Sequence, residues 1–341
     1  MAKITVNITN NEFLCVYCYY LNSVLDTISI MLQNKINRLK KEKDAIILAH
    51  NYQIPEVQDV ADMIGDSLKL ARYASQIKNK IILFCGVHFM AETAAILNPH
   101  KKVLIPDLEA GCSLSNSITI DELRNWKKEH PDAITVGYIN TTAEIKSELD
   151  YCCTSSNAVE IVNSIPLTKD ILFLPDMFLG SYISRLTKRQ NMFIWAGECH
   201  VHAGITSKDI IKKLNNLSNS ELMIHPECGC TTSILYDLSA GDYDNHDVKI
   251  LSTEGMMERA KISSAKKFVV ATETGILYKL KKQNPNKTFI PASEKAECQY
   301  MKMITAEKVY KSLLEEKYEV KVPPEISHKA KLPIQRMLSI K

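Results

Sequence analysis

IILAHNYQIPEVQDVADMIGDSLKLAR, Ile46 to Arg72, carries a complete strand–loop–helix unit and sets the reading of the chain around it. The apolar, partly β-branched run Ala45–Ala49 has the composition of a strand covered on both faces. It stops at His50-Asn51-Tyr52, and apolar residues then recur at helical spacing over Val57–Gln76. Within that stretch Gly65-Asp66-Ser67 marks a helix start, where free backbone N–H groups suit a carboxylate or phosphate. Plain capping by Asp66 or Ser67 is the commoner meaning of such a triplet.

The same alternation continues outward. Candidate strands are Ile81–Phe84, Val103–Pro106, Ile134–Ile139, Tyr151–Thr154, Ile171–Leu174, Met192–Trp195, Leu222–Ile224, Val248–Leu251, Phe268–Ala271 and Thr288–Pro291. Helical patterns such as Ile120–Glu129, Ser207–Leu217 and Gly275–Lys282 lie between them, so an α/β fold with parallel sheets is expected. Ligands of such sheets bind outside the carboxyl ends of the strands. Here those ends carry His50-Asn51-Tyr52, Tyr138 to Asn140, Thr154-Ser155-Ser156, Asp176, His225-Pro226-Glu227, Ser252-Thr253 and Thr272-Glu273. Strand ends are polar in most proteins; a central site accounts better for the whole set. Ser252-Thr253-Glu254-Gly255 repeats the anion-ready form of Gly65-Asp66-Ser67, which hints at a substrate with more than one acidic group. His225 and Glu227, flanking a stiff proline, can share acid and base roles.

Three cysteines fit this layout. Cys112, Cys199 and Cys298 each follow the last strand of a group, 87 and 99 residues apart. That spacing reads as one α/β module used three times, each ending in a cysteine loop. The expected divisions are an extension over 1–28, modules over 29–118, 119–204 and 205–299, and a tail over 300–341 that packs back on the first. No run matches a ferredoxin or zinc-ribbon loop, because Cys15-x-x-Cys18, Cys152-Cys153 and Cys228-x-Cys230 each lack a second close pair. Three thiolates from separate loops would suit a cubane with one open iron.

Composition narrows the classes. Net charge is +3 from 42 basic and 39 acidic residues, which gives no basic surface for nucleic acid or an anionic membrane. The apolar stretch from Phe13 to Leu32 is interrupted by Asn22, Ser23, Asp26 and Thr27 and lacks a basic leader, so neither a signal peptide nor a span is expected. A cytoplasmic protein with ten reduced cysteines is the expectation.

Taken with "FCGVHFMAETA", "PDLEAGCSLS", "YINTTAEIK", "CTSSNAV", "PDMFLGSYI", "WAGECHVH", "IHPEC", "ILSTEGM", "ATETGILYKL" and "CQYMKMIT", the opening unit resembles the quinolinate synthase family from about residue 30 to about residue 340. The resemblance implies three related α/β modules about a pseudo-threefold axis with a central active site. It implies a [4Fe–4S] cluster on Cys112, Cys199 and Cys298, and condensation of iminoaspartate with dihydroxyacetone phosphate to quinolinate for NAD synthesis. The imine would come from an aspartate-oxidising enzyme. By motif, substrate would meet His50, Ser67, Tyr138, Asn140, Ser155, His202, His225, Glu227, Ser252, Thr253 and Thr272. Glu227, Tyr52, His50, His225 and Tyr138 would move protons. Residues 1 to about 28, with Cys15 and Cys18, precede the resemblance, and Met177 and Phe178 depart from the family's more polar loop. A different three-cysteine hydro-lyase, or an iron–sulfur or zinc sensor, remains open on the residues alone.

Overall fold

The computed structural model describes residues 27–217, 219–234 and 247–340; Cys15 and Cys18 lie outside them. The first sheet comprises β1 (Ala45–His50), β2 (Met63–Gly65), β3 (Ile81–Cys85) and β4 (Lys102–Leu104). The second holds β5 (Ile134–Tyr138), β6 (Tyr151–Cys153), β7 (Ile171–Leu174) and β8 (Met192–Ile194). The third holds β9 (Ser220–Ile224), β10 (Asp247–Ile250), β11 (Lys267–Ala271) and β12 (Thr288–Pro291). Their orders are β2-β1-β3-β4, β6-β5-β7-β8 and β10-β9-β11-β12, so the same arrangement occurs three times. Every pairing within them is parallel. This is the α/β fold that the alternation predicts, in the three repeated modules that the cysteine spacing predicts.

The inner strands explain their own burial. β1, β3 and β9 are buried at every residue, as strands covered by helices on both faces must be. Leu48, Ile82, Leu83, Phe173 and Phe268 are among the fully buried side chains of the core.

One expected element divides. Val57–Gln76 is not a single helix but a helix at Pro55–Val60, then β2, then a helix at Ser67–Ala74. Asp62 intervenes: its carboxylate accepts from the Ile47 backbone N–H and its own N–H donates to the Ile47 carbonyl. Those bonds draw Met63-Ile64-Gly65 into register with β1, and pairing with a buried strand overrides helical spacing. Asp66 then caps the second helix by accepting from the Lys69 N–H at 2.8 Å.

The final helix, Pro324–Ser339, packs against β6 and the Ala143–Lys146 helix and also touches the His88–Leu97 helix. Asn157 Nδ2 donates to the Met337 carbonyl, and Arg336 donates to that of Asp150. Among the described residues no helix is long and apolar enough to cross a membrane.

Candidate active site

The threefold layout puts equivalent strand ends around one cavity of about 70 Å³. The first strand of each sheet ends on or just before His50, Tyr138 and His225. The second strands lead to Ser67, Ser155 and Thr253, and the fourth to Cys112, Cys199 and Cys298. All nine border the cavity, as do Tyr52, Asn140, His202 and Glu227. Two expected residues do not. Ser252 caps the Thr253–Ile262 helix, accepting from the Gly255 N–H at 3.2 Å. Thr272 stands behind the wall, 2.6 Å from the Tyr52 hydroxyl and 3.0 Å from His202 Nε2.

The three cavity thiols are half-buried, whereas every other described cysteine is buried. Their loops are alike. Backbone N–H groups of the second and third residues after each cysteine face its sulfur: Leu114 and Ser115, Val201 and His202, Tyr300 and Met301. Burial, with the Cys298 thiol nearby, still pushes Cys112 up to about 12. Cys199 is pushed well up by burial, then by Glu227 and Cys112. Three half-buried thiols, each supplied with N–H dipoles that favour the thiolate, form a donor set for a cationic centre. A multi-iron cluster fits that set.

Beside the Cys199 thiol lies a buried network of titratable groups. The Tyr138 hydroxyl donates to Glu227 Oε1, and burial pushes the Glu227 carboxyl up to about 7, against the lowering effect of that bond. His202 Nδ1 is 3.4 Å from Glu227 Oε2, and His225 Nδ1 is 3.7 Å from Oε1. These are not ion pairs near neutrality. Burial lowers His202 to about 3 and His225 well below its usual value, leaving both imidazoles neutral. His50 is likewise pushed down to about 3, by burial and then by Lys302 and Lys279. Its Nδ1 accepts from the Tyr52 N–H at 3.2 Å. Burial and Glu227 drive the phenols of Tyr52 and Tyr138 well above their usual range, so both are donors.

Several contributors escape a motif reading. Glu273 is fully buried; its Oε1 meets Lys302 Nζ at 2.7 Å and the Cys298 N–H at 3.0 Å, and its Oε2 accepts from the Gly275 N–H. Lys302 also donates to the Tyr52 carbonyl, so one ion pair ties the Tyr52 and Cys298 loops together. A side chain on Gly275 would meet that carbonyl at 2.5 Å. Asn51 donates to Thr253 Oγ1 at 3.1 Å and is held by Lys279 Nζ. Asp176, fully buried, rather than Met177 or Phe178, brings a carboxyl near Glu227; burial and that neighbour push its pKa well up. The strand-end pattern flagged Asp176 and Glu273 without distinguishing them from solvated ends. Phe89, Met90, Tyr300 and Met301 fall within the quoted motifs, but nothing in the sequence marked them as lining the cavity.

Comparison with known proteins matches residues 34–339 to the family of the quinolinate synthetase A protein. A quinolinate synthase of Pyrobaculum aerophilum is 53% identical over 307 residues, covering 90% of this chain and 99% of its own. One of Thermus thermophilus is 52% identical over 309 residues, covering 91% and 97%. One of Mycobacterium tuberculosis is 51% identical over 306 residues, covering 90% and 88%.

Proposed function

The chain belongs to the quinolinate synthase family and is an enzyme, and we propose that it condenses iminoaspartate with dihydroxyacetone phosphate to quinolinate, releasing phosphate and water. The observation that carries this reading is the meeting of three half-buried thiols from three modules with the Tyr138–Glu227 pair in one cavity. Cys112, Cys199 and Cys298 would hold a [4Fe–4S] cluster, which supplies an iron with an open position as a Lewis acid for substrate oxygen or nitrogen.

The remaining chemistry falls to side chains. Ser67 and Thr253 stand at helix N-termini, where hydroxyl and N–H donors and the helix dipole suit the substrates' carboxylates and phosphate. Ser155, bonded through Oγ to His225 Nε2 at 3.2 Å, offers a third hydroxyl, and Asn140 an amide for orientation. Glu227, held near 7, can take a proton during enolisation and imine formation and return one in a later dehydration. Tyr138 is its immediate donor. Tyr52 is buttressed by Thr272 and His202 and serves as a second acid, with His50 stacked edge-on at 4.5 Å. The Phe89–Met90 wall limits water and so protects a hydrolysable imine. The imine is short-lived, so its supply by an aspartate-oxidising enzyme follows from the same reading. A cytoplasmic setting, where the thiols stay reduced, agrees with it.

Anaerobic reconstitution with iron and sulfide, assayed for quinolinate from the two substrates, tests the proposal. The wild type is expected to gain iron–sulfur absorbance and activity together. Cys112→Ser, Cys199→Ser and Cys298→Ser lose both, while Cys15→Ser and Cys18→Ser keep both. A protein that takes up only zinc and forms no product overturns it.

A further inference from the structure

Three electron-pair donors of different chemistry converge between the second and third modules. Cys199 and His202 lie one helical turn apart, and Glu227 reaches them from the loop after β9. His202 Nδ1 is 3.3 Å from Cys199 Sγ and 3.4 Å from Glu227 Oε2, and the three ligand atoms all lie within 4.8 Å of one another. Tetrahedral bonds of about 2.0–2.3 Å to nitrogen, oxygen and sulfur give ligand–ligand edges of about 3.3–3.6 Å. Two edges of the triangle already have that length. We propose that Cys199, His202 and Glu227 form a mononuclear site for a first-row divalent metal, zinc above all, in the protein that carries no iron–sulfur cluster.

The surrounding groups aim the donors. His202 Nε2 lies 3.0 Å from Thr272 Oγ1; with the Nε2 proton given to that oxygen, Nδ1 turns its lone pair toward the thiol and carboxylate. Tyr138 occupies Glu227 Oε1 and leaves Oε2 for the centre. The close packing that brings Glu227 beside His202 depends on Gly229, whose N–H donates to the His202 carbonyl and whose Cβ would lie 2.8 Å from the Ala203 carbonyl. Sulfur and imidazole exclude magnesium and calcium and suit zinc, iron(II) or cobalt(II). A fourth position faces the cavity that all three residues line. Of the proposed cluster ligands only Cys199 takes part, so the single ion and the cluster exclude each other.

The test uses full-length, cluster-free protein prepared anaerobically and titrated with zinc chloride. Cobalt(II) is titrated separately, because its ligand-field and thiolate charge-transfer bands report a tetrahedral thiolate site. One ion per chain is expected. Cys199→Ser, His202→Gln and Glu227→Gln should each weaken zinc by about 100-fold or more, since even removal of a supporting partner costs about 10–100-fold. Thr272→Val should fall in that lower range. Cys112→Ser and Cys298→Ser should bind zinc as the wild type does, although neither builds a cluster. Bound zinc should block reconstitution until a chelator removes it. Cooperative thermal melts with midpoints no lower than the wild type's show that the weakened variants remain folded. Loss of zinc in Cys112→Ser or Cys298→Ser would assign the ion to the three thiols and overturn the site; so would unchanged binding in His202→Gln and Glu227→Gln. Wild-type protein that binds zinc in this pattern yet never assembles a cluster leaves the site standing and sinks the iron–sulfur reading instead.

Discussion

Replacing Glu227 by Gln should shift the stability of the cluster-free protein in the variant's favour as pH rises and abolish turnover of the reconstituted enzyme, a combination that a structural carboxylate would not give. Burial moves the native carboxyl from the usual 4.5 to about 7, so the folded state holds that proton more tightly than the unfolded chain does. The associated stability is fully present below about 4.5 and is lost as pH rises through about 7. Each factor of ten in proton affinity is about 1.4 kcal/mol, so ionising Glu227 costs the native state about 3 kcal/mol at alkaline pH. Glutamine fills the same space and has no proton to lose. Its hydrogen bond with Tyr138 and its contact with His202 differ from those of the carboxyl, but that difference is nearly constant with pH. The gap between variant and wild type should therefore widen in the variant's favour by about 2–3 kcal/mol between about pH 5 and about pH 8.

Urea unfolding of both proteins across that range, followed by circular dichroism, measures the gap. With an m-value of about 3 kcal/mol/M for a chain of this size, the relative midpoint should move by about 1 M. Parallel curves for the two proteins from acid to alkaline pH would refute the reasoning, because Glu227 would then titrate alike folded and unfolded. A wild type that gains stability on the variant as pH rises would refute it more strongly, by making the carboxylate a favourable buried charge.

Tyr138→Phe removes the donor that favours the Glu227 carboxylate, so the acidic limb of the kcat/KM profile should move to higher pH while iron content stays unchanged. Glu273→Gln keeps one acceptor oxygen of two and leaves Lys302 facing a neutral amide. It should cost about 2 kcal/mol in urea unfolding and speed loss of iron to a chelator through the freed Cys298 loop. Lys279→Met unhooks Asn51 from the base of Thr253 and should raise KM about tenfold with little change in cluster content, as steady-state assays of the reconstituted enzyme would record.

What could be read from the sequence was local. The alternation that predicted parallel modules depends on neighbouring residues, and Ile120–Glu129, Ile171–Leu174 and Thr288–Pro291 have the expected limits. β2 escaped because Val57, Val60 and Ile64 have helical spacing, and only the bonds between Asp62 and Ile47 reveal the competing strand. The active-site contacts were out of reach for the same reason. Tyr138 and Glu227 are 89 residues apart, Asn51 and Thr253 are 202, and Tyr52 and Thr272 are 220. Motifs marked which residues carry chemistry; only the packing of one module on another determines which of them touch.

The repeated sheet order explains why those contacts can be so unlike one another. A threefold arrangement places equivalent backbone positions around a common cavity, but it does not require equivalent side chains. The loops after the fourth strands carry the same residue with the same pair of N–H groups on its sulfur, as a cluster binding three thiolates alike would demand. The first strands lead instead to His50, Tyr138 and His225, and the third to Val87, Asp176 and Glu273. The proposed product, assembled from two different small molecules, has no threefold symmetry, and the proposed reaction needs its protons to move in one direction. Alike sulfurs and unlike acids and bases around one cavity meet both needs with one backbone plan. Glu227 stands where they join, bonded to Tyr138 on one side and within 4.8 Å of Cys199 on the other. Its charge state therefore acts on both the Cys199 thiol and the phenols of Tyr52 and Tyr138.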